Sequence, residues 1–205
     1  MNADNKGKVV VVGAGLMGTG IAHAFASSGF ETVLVDTNSD SLKRAYAGIE
    51  KILGDGVRLG KVEELVAQQS MARLSTNVVL RQAAAGAALL IETVSEQLAI
   101  KKAVVTEAAA MMPDDAIIAS NTSALSVTEI AAVVPCPERF IGMHFFNPVH
   151  KMKLVELVRG LATSDETVAR ARDLCAAINK AAIVVNESPG LTTSRMSALL
   201  GNEAM

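Results

Sequence analysis

With 205 residues, 19 basic against 21 acidic side chains and half of its residues apolar, the chain has the make-up of a globular protein long enough to bury a sizeable core. A net charge of −2, charged residues at 20% and no block of like charge exclude a nucleic-acid-binding surface and a disordered chain. The longest apolar stretch, 83–91 interrupted by Gly86, falls far short of the roughly 20 residues of a membrane helix. Met1-Asn-Ala-Asp-Asn-Lys6 lacks the apolar core of a signal peptide, so a cytosolic protein with neither membrane nor nucleic-acid partners is expected. Cys136 and Cys175 lie far apart in unrelated contexts, which supports neither a disulfide framework nor a zinc site, and no metal is expected.

Four valines, Val9 to Val12, end in Gly13 and predict a strand buried on both faces. Ile21, Ala22, Phe25 and Ala26 recur at helical spacing until Gly29, and 32–35 reads as a second buried strand that completes a βαβ unit by Asp36. Leu42, Ala45, Tyr46, Ile49, Ile52 and Leu53 lie on one helical face, and that helix is expected to end at Gly54-Asp-Gly56, with a further helix near 62–68. A strand over 89–94, a helix over 99–112 leaving at Pro113-Asp-Asp, and a strand over 116–119 continue the alternation, which predicts a parallel sheet wrapped by helices. Strands at 140–145 and 153–158 flank a turn containing Asn147-Pro148. A helix over 165–180, a strand over 182–185 and a final helix over 191–205 after Ser188-Pro-Gly190 complete the pattern. The expected fold is α/β, a Rossmann-type doubly wound and mostly parallel sheet with a mixed edge, followed by the start of an all-helical second domain.

Gly13-Ala-Gly15-Leu16-Met17-Gly18 fits G-x-G-x-x-G between a buried strand and a helix. The first glycine permits the tight turn, the second the approach of a pyrophosphate, and the third close helix–strand packing, while the free N–H groups around Leu16 and Met17 face the phosphates. Asp36 follows at the carboxyl end of the second strand, where an acid accepts hydrogen bonds from the ribose hydroxyls and would repel a 2′-phosphate. The next basic residues, Lys43 and Arg44, lie on the following helix, so NAD is expected over NADP.

Three histidines are candidates for chemistry near neutral pH. His23 reads as a packing or surface residue of the first helix, and His150 lies in a turn without an evident orienting partner. His144 ends a strand in Gly142-Met-His-Phe-Phe-Asn-Pro148, where open α/β sheets present residues to ligands. Glu156, in Leu154-Val-Glu-Leu-Val158, is a carboxylate on a buried strand and requires a partner. If the two strands run antiparallel about His150, the offsets match (150 − 144 = 6, 156 − 150 = 6) and His144 faces Glu156. Such a carboxylate fixes the imidazole tautomer and raises its basicity, although a structural histidine beside an unrelated acid has the same pattern. Ser120-Asn-Thr-Ser123 follows a strand. Because Ser126-Val-Thr-Glu129 supplies a capping box for the next helix, Ser123 is open to either a capping or a cleft-facing role.

The chain resembles the 3-hydroxyacyl-CoA dehydrogenase family, including its 3-hydroxybutyryl-CoA dehydrogenases, over nearly its whole length. The likeness is carried by Val12-Gly-Ala-Gly-Leu-Met-Gly18, Glu92-Thr-Val-Ser-Glu96, Ser120-Asn-Thr-Ser123, His144-Phe-Phe-Asn-Pro148, Met152-Lys-Leu-Val-Glu156 and Ser188-Pro-Gly190 in the family's order and spacing. The resemblance implies His144 as catalytic base, Glu156 as its orienting acid and Ser123 as a substrate contact. It also implies cofactor contacts from the glycines, Asp36, Glu96, Lys101, Ser123 and Asn147. The family's catalytic-site asparagine falls on Ser194, a departure, since serine donates and accepts a hydrogen bond over a shorter reach.

The implied activity is NAD-dependent, reversible oxidation of an L-3-hydroxyacyl-CoA in fatty-acid or butanoate metabolism. Residues 1–188 would form the NAD-binding domain and 189–205 the start of a helical domain that elsewhere in the family closes the substrate cleft and makes a homodimer. An isolated nucleotide-holding module is the alternative reading. A related enzyme acting on a free hydroxy acid would usually rely on a lysine base, against which His144 and Glu156 speak. Leu191, Met196, Leu199 and Leu200 are expected to need partners from outside this chain, leaving the last helix mobile or covered by another copy.

Overall fold

The valines of the opening strand divide between two cores. In β1 (Lys8–Val12), Val9 and Val11 enter the core beneath one face of the sheet while Val10 and Val12 enter the other, as period-two alternation demands when both faces are covered. The computed structural model describes residues 6–189 and 191–203; most of the N-terminal hexapeptide read above, Gly190 of the Ser188-Pro-Gly190 motif and the last two residues of the expected terminal helix lie outside the described residues.

The remaining strands are β2 (Glu31–Val35), β3 (Leu74–Asn77), β4 (Leu89–Glu92), β5 (Ile117–Ser120), β6 (Phe140–Phe145), β7 (Leu154–Arg159) and β8 (Ala181–Asn186). They form one eight-stranded sheet in the order β3-β2-β1-β4-β5-β6-β7-β8. Pairing is parallel except at β6–β7, which is antiparallel, so the expected mostly parallel sheet with a mixed edge is what forms. Helices α1 (Leu16–Ser27), α2 (Ser39–Arg58), α3 (Glu64–Arg73) and α7 (Asp165–Ala177) pack on the Val9 face; α4 (Leu80–Ala84), α5 (Leu98–Ala109) and α6 (Val127–Ala131) pack on the Val10 face. The final helix is α8 (Thr192–Glu203). The chain lays β1, β2 and β3 outwards and then returns to place β4 on the other side of β1. Strand order therefore reverses between β1 and β4, where a crevice opens at the carboxyl ends. No helix among the described residues is long and apolar enough to cross a membrane.

Several expectations are corrected by packing. Helix α2 does not end at Gly54-Asp-Gly56 but continues to Arg58, and closes where Gly60 adopts φ +66° and Lys61 N–H reaches the Gly56 carbonyl at 2.9 Å. Gly56 serves packing instead of a turn, because a Cβ there would stand 2.7 Å from Val62 Cγ2. Val62 packs against the last turn of α2, and α3 starts later than expected, at Glu64. Strand β3 and the short α4 were not anticipated: β3 is a polar edge strand, Leu-Ser-Thr-Asn, with only Leu74 buried, so no apolar run announces it. Ser126 Oγ does cap α6 by accepting from Glu129 N–H at 3.0 Å, but the Glu129 carboxylate lies instead on Lys102 Nζ at 3.0 Å. Leu191, expected to await an outside partner, is buried in the Val10-face core, whereas Met196, Leu199 and Leu200 are exposed.

Candidate active site

The glycine loop leaves β1 and opens α1 with its N-terminus facing the crevice. A Cβ on Gly18 would stand 1.8 Å from the Gly13 oxygen, and one on Gly13, at φ +106°, would meet Thr93 Oγ1 at 2.9 Å. The protein's own packing therefore demands both glycines. At Gly15 a Cβ would meet nothing within 4 Å, so the space beside the uncapped start of α1, which carries no acid in its first turn, is free for a phosphate. Asp36 is held at the same point: its Oδ2 accepts from Ala14 N–H at 2.8 Å and its Oδ1 from Asn38 N–H at 2.9 Å.

Gly15 and Asp36 line two adjoining cavities. One of about 570 Å³ has apolar walls from Val79, Ile100 and Val104 that suit a flat heteroaromatic base. The other, about 610 Å³, is lined by Leu16, Arg44, Asn147 and His150 as well. Met17 is half-buried and packs against the Val9-face core. Lys43 is paired with Asp40 at 3.1 Å, and Arg44 donates to Ser41 Oγ at 2.9 Å. The glycines, Asp36 and the open helix start together fit a dinucleotide.

The acid–base pair forms as the strand offsets require. In the β6–β7 ladder His144 is the direct partner of Glu156, and His144 Nδ1 lies 3.1 Å from Glu156 Oε2. On the other side Ser123 Oγ lies 3.1 Å from His144 Nε2. Phe146 packs beside the imidazole with ring centroids 4.7 Å apart.

Glu156 is wholly buried. Burial pushes its carboxyl up, but hydrogen bonds from His144 and from the side chain and backbone of Thr193 outweigh that push and hold it below the usual carboxylate range. An ionised carboxylate only accepts, so the neutral imidazole carries its proton on Nδ1 and presents the Nε2 lone pair to Ser123 and the crevice. Ser194 Oγ donates to the Ser123 carbonyl at 3.3 Å, which sets it at the rim of the same line.

A second polar cluster underlies the Ser120–Ser123 loop. Glu92 and Lys101 are both fully buried, with Lys101 Nζ 2.9 and 3.1 Å from the two Glu92 oxygens and 3.2 Å from Glu96 Oε2. Ser120 Oγ and Val94 N–H also donate to Glu92, each at 2.6 Å. Glu96 Oε1 accepts from Thr122 Oγ1 and from the N–H groups of Ser123 and Ala124, the latter two at 2.9 and 3.2 Å. Burial raises the Glu96 carboxyl, yet these donors and Lys101 hold it low.

Lys101, expected as a cofactor contact, is fully buried beneath the loop, where it pairs with the half-exposed Glu96 at 3.2 Å and donates to the Val94 carbonyl at 3.2 Å. Nor is it free to act as the lysine base of a free-acid dehydrogenase. Glu92 was not singled out from the sequence for a role; the available signal was a carboxylate closing an otherwise apolar strand, with a lysine nine residues on. Asn121 was also missed: its Oδ1 accepts from Phe145 N–H at 2.8 Å and ties the ends of β5 and β6 together.

The other two histidines stand apart. His23 is pushed down to about 4 by burial and by neighbouring His150 and Lys180, and meets His150 edge-on with ring centroids 6.4 Å apart. Both cysteines are free thiols, and burial pushes Cys175 up to about 12.

Comparison with known proteins places this geometry. The family model described as 3-hydroxyacyl-CoA dehydrogenase, NAD binding domain, matches residues 8–188. A probable 3-hydroxybutyryl-CoA dehydrogenase of Bacillus subtilis is 39% identical over 198 residues, which is 97% of this chain and 69% of the relative. The fatty acid oxidation complex subunit alpha of Idiomarina loihiensis is 41% identical over 189 residues, 91% of this chain but 26% of the relative. Crystal structures of 3-hydroxybutyryl-CoA dehydrogenases from Escherichia coli K12 and Ralstonia eutropha match with TM-scores of 0.94 and 0.92 at 38% and 37% identity, covering 97% and 96% of this chain and 42% and 69% of theirs. The chain thus spans from 26% to 69% of the length of these relatives. With its glycine loop, Asp36 and the crevice between β1 and β4, the chain belongs to the 3-hydroxyacyl-CoA dehydrogenase family through its NAD-binding domain, and its cofactor is NAD.

Proposed function

We propose that this chain carries the nucleotide-binding and acid–base machinery of an L-3-hydroxyacyl-CoA dehydrogenase, acting on substrates of the 3-hydroxybutyryl-CoA type. The observation that carries the reading is His144, held on Nδ1 by Glu156 and facing Ser123 with Nε2, at the carboxyl end of a nucleotide-binding sheet. Bound NAD supplies the hydride acceptor for the hydrogen on C3. His144 Nε2 takes the hydroxyl proton as the C3–O bond becomes a carbonyl, and in the reverse direction returns that proton to the carbonyl oxygen. Ser123 hydrogen-bonds the reacting oxygen, and the Glu156 carboxylate balances the charge on the transient imidazolium. Glu96 holds the loop carrying Ser123, and Asn147 and the glycine loop border the cofactor.

Ser123, His144 and Glu156 also stand in the order of an acyl-transfer triad. That chemistry needs N–H donors beside the serine for an oxyanion, and the Ser123 and Ala124 N–H groups are both spent on Glu96. The serine is accordingly a hydrogen-bonding group and not a nucleophile. In the proposed whole protein, residues 1–188 form the nucleotide domain, 189–205 begin a helical domain that completes the acyl-CoA cleft, and the assembly is a cytosolic homodimer.

The test is NADH oxidation with acetoacetyl-CoA by the 205-residue chain beside a version extended by a family helical domain. His144→Gln is expected to lower turnover by about 10²–10⁴-fold with NADH affinity nearly unchanged. Unchanged turnover in that variant would refute the assignment. NADH binding without oxidation in either form would leave a nucleotide-holding module.

A further inference from the structure

The first turn of α8 reaches both ends of the Ser123–His144–Glu156 line. Ser194 Oγ donates to the Ser123 carbonyl at 3.3 Å. At the other end, Thr192 N–H and Thr193 N–H reach Glu156 Oε1 at 3.1 and 3.3 Å, and Thr193 Oγ1 donates to Glu156 Oε2 at 2.8 Å. Oε2 also accepts from His144 Nδ1, so among the described residues three of the four donors on this carboxylate come from α8, whose residues lie 36 and 37 positions away in sequence.

Nothing else in α8 is deeply engaged. None of its residues is buried, and only the preceding Leu191 enters the core. The helix start and the buried carboxylate are therefore each other's principal partner: the free N–H groups of the first turn favour an anion, and the anion needs donors because burial disfavours its charge. The two amides hold Oε1. The Thr193 hydroxyl adds a second hold on Oε2 beside the imidazole and so narrows the broad final torsion that the two carboxylate oxygens share.

We propose that Thr193 is a positioning residue: its hydroxyl, with the two N–H groups of the first turn of α8, holds the Glu156 carboxylate in the orientation and charge state that His144 Nδ1 requires, so that docking of α8 arms the histidine. The rate consequence rests on the dehydrogenase reading; the geometric consequence belongs to the unliganded chain. The strength of a hydrogen bond to a buried carboxylate corresponds to roughly tenfold or more in an equilibrium or a rate.

Thr193→Val keeps the side-chain shape and removes the hydroxyl, while Thr193→Ser restores it. Two measurements decide the matter: the His144 Nδ1 proton resonance of the unliganded chain by NMR, and kcat and KM for acetoacetyl-CoA reduction with NADH. In Thr193→Val the Nδ1 proton signal is expected to be lost to exchange with water, with kcat about tenfold lower and KM for NADH within about twofold. Thr193→Ser is expected to recover both. A Thr193→Val chain that keeps the Nδ1 signal and kcat overturns the proposal, as does one that merely melts earlier with the signal intact, or a failure of Thr193→Ser to restore the signal. If no form turns over substrate but the Nδ1 signal follows the hydroxyl, the dehydrogenase reading falls and the positioning role stands.

Discussion

Glu92 and Glu156 are both wholly buried carboxylates at the carboxyl edge of the same sheet, and they are satisfied in opposite ways. Glu92 is paired directly with the amino group of Lys101 at 2.9 Å, with Ser120 and Val94 completing its shell. Among the described residues Glu156 has no ammonium or guanidinium against it; its hydrogen-bond donors there are the His144 imidazole, two backbone N–H groups and a threonine hydroxyl. A buried charge that is already cancelled can hold structure but responds little when a proton arrives nearby. One stabilised only by dipoles keeps its field available for the imidazolium when it forms. The first carboxylate shapes the loop beneath Ser123, and the second tunes the base.

The sharpest way to break this comparison is to replace each acid by its amide. Glu156→Gln presents an NH₂ group towards Nδ1, which drives the imidazole proton to Nε2 and removes the lone pair from the crevice. Turnover is expected to fall by about 10³–10⁴-fold, the scale known for a mis-set tautomer, with NADH affinity retained, as steady-state kinetics and calorimetry would show. Glu92→Gln is expected to act mainly on stability, because it strands a buried ammonium. The loss is about 3 kcal/mol, at the low end for a broken buried pair since Glu96 and the Val94 carbonyl still face Lys101, or roughly 6–12 °C in Tm by thermal melting. Equal effects of the two variants on rate and stability would dissolve the distinction.

The smallest effect is a pH dependence. The folded Glu156 carboxyl is held below its ordinary value of 4.5, so its stabilising contribution is fully present above that pH and is lost as the pH falls through the depressed folded value. Glu96 and Glu187 are depressed in the same sense, so global acid stability does not isolate Glu156. The amide resonances of Thr192 and Thr193 do. They are expected to shift on acidification below about pH 4.5 and to lose that response in Glu156→Gln.

The parts of the molecule legible beforehand share a physical cause. β-branched runs buried on both faces and a glycine loop between strand and helix are local patterns, so β1, α1, β2 and the nucleotide site followed from residues close in sequence. The His144–Glu156 pairing was also legible, because an antiparallel pair about a known turn obeys simple arithmetic and a one-residue slip would turn Glu156 to the wrong face. By contrast, β3 carries one buried side chain on a sheet edge, too little to leave a periodicity. Gly54 and Gly56 looked like a helix end only because the close approach of Val62 to Gly56 cannot be seen along the chain.

Composition, period and motif by themselves determined a doubly wound sheet, a dinucleotide loop with Asp36 at its ribose end, and an imidazole facing an acid across two strands, because each depends on neighbours or on a register set by one turn. Only the tertiary structure decided which charges are spent and which are kept. Lys101 is sealed between Glu92 and Glu96, and Glu156 is completed by the start of α8, through contacts that bridge 5 to 37 positions of chain. Desolvation makes those pairings obligatory, and it acts only once distant segments close over the charges and exclude water.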